Sequence, residues 1–183
     1  MQTLDAIKKR RTIRKFKDKP ISNENLRKIL EAGNLAPCAA GLANWRFVVI
    51  TANEDKKEIA KAAFNQEFIE DAAILIVVCS DSERLKELYG ERGEMYAIQN
   101  TAAAIENMLL AATDLGIGSA WIGAFDKDEI AKVIHTPYDI DIHSIVALGY
   151  PNEIPKVVKL KLPDVVYFDR WGKSEIGRNK KRR

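Results

Sequence analysis

Apolar positions along the 183-residue chain change period several times, and each change marks an element. Leu4 and Ile7 share a helical face behind Thr3, which can cap the first turn. Leu26, Ile29 and Leu30 repeat that spacing behind Ser22, and the second helix ends near Gly33 and Pro37. A loop of small residues, Cys38 to Asn44, follows. Trp45 to Ile50 is dominated by aromatic and β-branched residues and reads as a strand. After a polar helix around Glu54–Ala63, the run Ala73–Cys79 is apolar at every position, as in a strand buried on both faces.

Glu94 to Leu115 is the longest helix candidate. Ile98, Ala102, Ile105, Leu109 and Ala112 fall on one side, with Ala103, Met108 and Ala111 on others. A helix without a broad polar face must be covered on most sides, which in so small a domain suggests a subunit interface. Its Glu106-Asn107 pair needs polar partners wherever it is buried. Gly116 and Gly118 end the helix, and Ser119–Gly123 reads as a short strand. Asp126 and Glu129 form a capping box for a helix carrying Ile130, Val133 and Ile134, and Ile142 to Leu148 is the last internal strand. Beyond Pro151, Val157, Val158, Val165 and Val166 show no helical period. They belong to an extended arm that needs another surface, such as a partner subunit's sheet edge.

Length, and the lack of any repeat or linker, indicate one domain. Two cysteines, Cys38 and Cys79, give neither a zinc spacing nor a disulfide framework, so a reducing, cytoplasmic setting is the default. No run of 18 apolar residues and no cleavable leader pattern is present, so neither membrane spanning nor secretion is expected. The net charge of +3 misleads as an average. Five of the 29 cationic residues lie in Arg178–Arg183, leaving 24 against 26 acids in residues 1–177. The basicity is therefore a tail, residues 174–183, read as a disordered, solvated terminus and not as a nucleic-acid surface.

The segment Arg10-Arg11-Thr12-Ile13-Arg14-Lys15-Phe16 sets three guanidinium groups and a hydroxyl within five positions. Planar guanidinium forks match phosphate oxygens, and Ile13 and Phe16 can pin the cations against a core. A solvated charge run is the alternative. Elsewhere the chemistry is sparse. The two histidines, His135 and His143, lie far apart without acids at ligand spacing, and no metal site is expected. Gly116-Ile117-Gly118 follows a helix and has Trp121 where a dinucleotide fingerprint needs its third glycine. Cys38 reads as a neutral loop residue, Cys79 as core and His143 as a structural histidine. No catalytic side chain emerges, so an enzyme built on this sequence would let a cofactor carry the reaction.

Four segments, in order, resemble the FMN-dependent nitroreductases: the Arg10–Phe16 opening, Ala36–Phe47, Gly116–Gly123 and Ala147–Pro151. The likeness spans residues 5 to 173. It implies an α+β fold, a mixed sheet flanked by helices, in a domain-swapped homodimer whose nitroreductase-like FMN-binding domain is residues 1–173. By the same resemblance Arg10, Thr12 and Arg14 bind the FMN phosphate and ribityl end, with Arg11 alongside. Cys38, Ala39, Ala40 and Gly41 reach the other subunit's flavin. Asn65 sits at the ring edge, Ile122 and Gly123 offer backbone donors near N5, and Arg170 or Lys173 returns from the arm to the phosphate. The implied activity is ping-pong transfer of electrons from NADH or NADPH to a nitroaromatic, quinone or flavin. Alternatives within the fold are dehalogenation and flavin fragmentation, and outside it a non-catalytic flavin-binding regulatory dimer. The chain departs from the family at Cys38, Gly41 and Ala43, where Ser, Asn and Gln are common, at Asn44 for a common Pro, and at Phe68 where some members have Lys.

Overall fold

Four strands and six helices organise the described residues, 1–157 and 159–173, of the computed structural model. In chain order they are α1 (Thr3–Lys9), α2 (Asn23–Asn34), β1 (Trp45–Ile50), α3 (Asn53–Ala62), β2 (Ile74–Asp81), α4 (Glu83–Tyr89), α5 (Arg92–Asp114), β3 (Gly118–Ile122), α6 (Lys127–Ile134) and β4 (Ile140–Gly149). The strands form one sheet in the order β1-β2-β4-β3. All three ladders are antiparallel, and the parallel component is a single bridge from Thr12 to Ser119 on β3.

Period-two alternation explains why β2 is apolar throughout. Leu75, Val77 and Cys79 pack with Ile59, Ile69, Ile130 and Ile145 on the face covered by α3 and α6. Ile74, Ile76 and Val78 pack with Ile29, Ile105 and Met108 on the face covered by α2 and α5. Each fully buried aliphatic side chain stabilises the fold by about 1.5–3 kcal/mol. Both helical layers are therefore fastened through the same central strand, and the chain is an α+β sandwich of helices about a sheet.

α5 is covered along Ala97, Ala104, Ile105, Met108 and Ala112. Ile98, expected on the covered side, is 52% exposed. Asn107 donates to the Ala32 carbonyl at 3.1 Å, while Glu106 faces Arg10 at 3.6 Å, which supplies both polar partners. Several local expectations are corrected. α1 begins at Thr3 with Gln2 at its N-cap and no side-chain cap, and Leu4 and Ile7 are exposed while Ala6 is buried. Ser22 caps α2 as expected, accepting from the Asn25 N–H. The α6 capping box is half-formed: Asp126 accepts from the Asp128 and Glu129 N–H groups, but Glu129 turns to Lys132. Helix α4 has no counterpart in the pattern reading. The arm forms no strand ladder among the described residues, only a 3-10 turn at Leu162–Asp164. Val158 and the basic tail at 174–183 lie outside the described residues. No helix among those described is long and apolar enough to cross a membrane.

Candidate functional site

The arginine segment is held as a rail along the end of the sheet. Thr12 bridges Ser119, and the Ile13 N–H donates to the Ser119 carbonyl at 2.9 Å. Phe16 bridges Pro151, and the Lys17 N–H donates to the Tyr150 carbonyl at 2.8 Å. Two glycines permit this approach. A Cβ on Gly118 would stand 2.8 Å from Ile13 Cγ1, and one on Gly149 would stand 2.6 Å from Phe16 Cδ1. The apolar residues interleaved with the cations thus anchor the backbone, and the segment is not a loose charge run.

Each cation then has a distinct fate. Arg10 Nε lies 3.6 Å from the Glu106 carboxylate. Arg11 turns back on its own backbone, donating to the Lys8 and Arg10 carbonyls at 2.6 and 2.7 Å. Arg14 is exposed, with its guanidinium 5.6 Å from the centre of the Phe68 ring and no carboxylate partner among the described residues. The Thr12 hydroxyl also has no partner among them. Arg14, the Thr12 hydroxyl and the exposed Lys15 ammonium are thus the donors of this segment left for an incoming anion. Sequence reasoning missed Glu153, whose Oε1 accepts from the Arg14 and Lys15 N–H groups at 2.7 and 3.1 Å. No spacing rule signals a contact across 139 residues.

Phe68 connects this rail to the turn bearing Asn65. Phe64 and Asn65 both adopt left-handed backbone, φ 57° and 58°. Asn tolerates that region and Phe does so at a cost, so the surroundings must hold the turn. Gln66 supplies two ties, from Nε2 to the Ala63 carbonyl at 2.9 Å and to the Ala124 carbonyl at 3.1 Å. Asn65 is in this way fixed close to the exit of β3. There the Ile122 side chain is buried in the core, leaving its backbone alone for any ligand. Gly123 is exposed, with no atom within 4 Å of a notional Cβ.

Beside Gly123 opens a cleft of 460 Å3 walled by Trp121, Phe125, Ile98 and His143. His143 occupies the bulge that interrupts the β2–β4 register, since Val78 pairs with Ser144 and Cys79 with Ile142. Its Nε2 lies 2.7 Å from Ser80 Oγ, the satisfied structural histidine expected. Burial holds its pKa below the ordinary histidine value, with Asp141 opposing in part. Cys79 is core, its thiol pushed up to about 11 by burial.

The remaining predicted site residues fall in two further places. Cys38, Ala39, Ala40 and Gly41 form a separate loop between α2 and β1, tied to α5 through Asn100. Arg170 and Lys173 lie in a local turn of the arm, where Lys173 pairs with Asp169 at 3.2 Å. So the structure links Thr12 and Arg14 on the rail, through Phe68, to the turn bearing Asn65, which Gln66 ties to Ala124 beside Gly123, while Arg10 and Arg11 contact Glu106 and local carbonyls. It leaves the loop and the arm turn elsewhere on the chain. The linked segments offer a guanidinium and a hydroxyl without polar partners among the described residues, one glycine with open space over its backbone, and an aromatic-walled cleft beside that glycine. That donor set fits a planar group with a phosphate tail, as FMN is.

An antiparallel sheet with a helical layer on each face defines an α+β protein. The chain belongs to the nitroreductase family, whose model matches residues 7–66 and 60–150. It is 35% identical over 177 residues to an Archaeoglobus fulgidus protein named as an NADH dehydrogenase/NAD(P)H nitroreductase, covering 93% of this chain and 99% of that one. It is 30% identical over 169 residues to the NADPH-flavin oxidoreductase of Vibrio harveyi, covering 88% and 70%. Among solved structures, the Vibrio harveyi NADPH:FMN oxidoreductase complexed with NAD+ superposes with a TM-score of 0.84 at 27% identity, over 94% of this chain and 79% of that one.

Proposed function

We propose that this protein is an FMN-dependent oxidoreductase that passes electrons from NADH or NADPH to a nitroaromatic, quinone or flavin acceptor in a ping-pong cycle. The observation that carries the reading is the rail: the backbone around Arg14 and Thr12 is bonded to β3 and to the Tyr150–Asn152 segment just after β4, yet their side chains have no polar partner among the described residues. Each charged hydrogen bond they offer a phosphate contributes about 1.5–3 kcal/mol. Arg10 adds charge at the same end, and Arg11 braces the turn that presents it. Asn65 and the backbone at Ile122 and Gly123 would orient the ring, and the cleft by Trp121 and Phe125 would admit both substrates in turn.

Bound FMN supplies the chemistry, taking a hydride from the nicotinamide and returning electrons to the acceptor. The family membership and the relatives' names, which specify flavin or FMN and NADPH, support this assignment.

The working unit would be a homodimer. Ile154, Leu160 and Trp171 of the arm are 94%, 76% and 90% exposed. A second subunit would cover them, bring the Cys38–Gly41 loop to its flavin and give Arg170 or Lys173 a route to the phosphate. The test is anaerobic mixing of FMN-loaded protein with NADH or NADPH, followed by steady-state assay with a quinone. Bleaching of the flavin band and parallel double-reciprocal lines are expected. Flavin that neither nicotinamide bleaches would overturn the proposal.

A further inference from the structure

The loop before β1 is short of internal support. Ala40 (φ 52°, ψ 20°) and Gly41 (φ 68°) are consecutive left-handed residues, and a Cβ in that region is unfavourable without outside restraint. The loop's own bonds are two turn closures, from the Gly41 N–H to the Cys38 carbonyl at 3.3 Å and from the Leu42 N–H to the Ala39 carbonyl at 2.9 Å. Neither fixes the loop relative to the body of the protein.

Asn100 does. It projects from α5 and is only 4% exposed. Its Oδ1 accepts from the Ala39 N–H at 2.9 Å, and its Nδ2 donates to the Leu42 carbonyl at 3.3 Å and to Asn44 Oδ1 at 2.8 Å. One side chain therefore grips the loop on both sides of the left-handed pair. One turn further along α5, Ala104 packs with Ala36 and Trp45, so the grip rests on a rigid base. Asn44 continues the tie, its carbonyl accepting from the Asp81 N–H at the end of β2. The Asn100 amide is bonded at both of its polar atoms, and a buried group satisfied in this way rigidifies what it touches, although Asn44 Nδ2 beside it has no partner among the described residues. With the Ala39 amide committed to Asn100, the exposed Ala40 keeps an N–H that has no acceptor among the described residues.

We propose that Asn100 is a positioning residue for the reaction. It locks the Cys38–Asn44 loop so that the Ala40 N–H is presented, preformed, to the flavin. This rests on the FMN reading above. The role is indirect, because Asn100 acts through the loop backbone and is itself buried beneath it.

The test uses full-length protein with FMN as the probe, and three readouts. These are amide hydrogen exchange at Ala39 without cofactor, FMN affinity, and visible circular dichroism of the bound flavin. Asn100→Leu keeps the γ-branched shape and favours the helix but removes all three bonds. It should free the Ala39 amide to exchange, weaken FMN by about ten-fold or more, and change the flavin dichroism. Asn100→Asp keeps the acceptor for Ala39, and a turned Asn44 amide can bring its unpaired Nδ2 to the new carboxylate. It should fall between wild type and Asn100→Leu in all three. Should Asn100→Leu fail to fold, Asn44→Ala decides: a smaller loss of FMN affinity, with the Ala39 amide still protected, supports the lock. Wild-type FMN affinity and dichroism in the folded variants would overturn it. A wild-type protein that takes up no FMN would instead overturn the flavin reading beneath it.

Discussion

The N-terminal rail and the C-terminal arm are both irregular segments studded with apolar residues, yet they end in opposite states. Ile13 is 5% exposed, seated over Gly118, while Trp171 is 90% exposed and, among the described residues, its ring pairs with Tyr167 of its own turn. The rail makes backbone bridges to β3 and to Pro151, whereas the arm beyond Asn152 is mostly solvent-facing. A segment whose burial partners are encoded in the same chain is finished by folding. One whose partners are missing is finished by assembly. On the proposed reading the rail would supply a preformed half of the site, and a second subunit would cover the arm.

The largest effect should come from removing the arm. Truncation before Pro151 deletes the unpartnered apolar surface together with Glu153, which holds the Arg14 and Lys15 amides. The expected product is aggregated or flavin-free in light scattering and absorbance, against a wild-type dimer burying well above about 2,000 Å2. A truncated, flavin-loaded monomer would erase the distinction between the two segments.

On the rail, two substitutions separate seating from binding. Gly149→Ala places a methyl 2.6 Å from the Phe16 ring and should cost about 1–3 kcal/mol in denaturant unfolding, with FMN affinity falling as the rail lifts. Arg14→Ala removes an exposed guanidinium without carboxylate partners. It should weaken FMN by about ten-fold or more in a fluorescence titration while leaving the denaturation midpoint nearly unchanged. Equal affinity in both variants and wild type would show that the anion lies elsewhere.

Asn65→Ala should slow flavin reduction in stopped flow more than it weakens FMN retention, since Gln66 ties the left-handed turn bearing Asn65 to Ala124 beside Gly123, where the ring is proposed to lie. An unchanged reductive half-reaction would remove Asn65 from the ring edge. The smallest effect concerns His143, whose pKa is lowered in the fold by burial. The unfolded chain binds this proton at a higher pH than the folded one does, near the ordinary value of about 6.5. Stability should therefore fall as pH drops through that value toward the lowered one, and be retained above it. His143→Gln should flatten that part of the stability–pH curve.

Much of this architecture was legible because strong patterns govern it. The strand read at Trp45 to Ile50 has those bounds, and the uniformly apolar Ala73–Cys79 became the doubly covered centre of the sheet. α4 escaped because a seven-residue helix whose one buried residue is Leu85 leaves no period to detect. Leu4 and Ile7 misled because amphipathic spacing shows that a face needs covering and does not show what covers it. The arginine cluster was legible as chemistry, but not that Arg11 would spend itself on local carbonyls, since rotamer choice depends on the docked backbone. Asn100 left a faint signal. It is a polar residue seven positions before Asn107 in an Ala-rich helix, and both amides turned out to bond outward to loop or helix carbonyls.

The absorbance spectrum of purified protein, incubated with FMN and then desalted, bears on all of this at once. A retained flavin band at one FMN per subunit, lost in Arg14→Ala at the same protein concentration, is the predicted result. Colourless wild-type protein after the same treatment would contradict it.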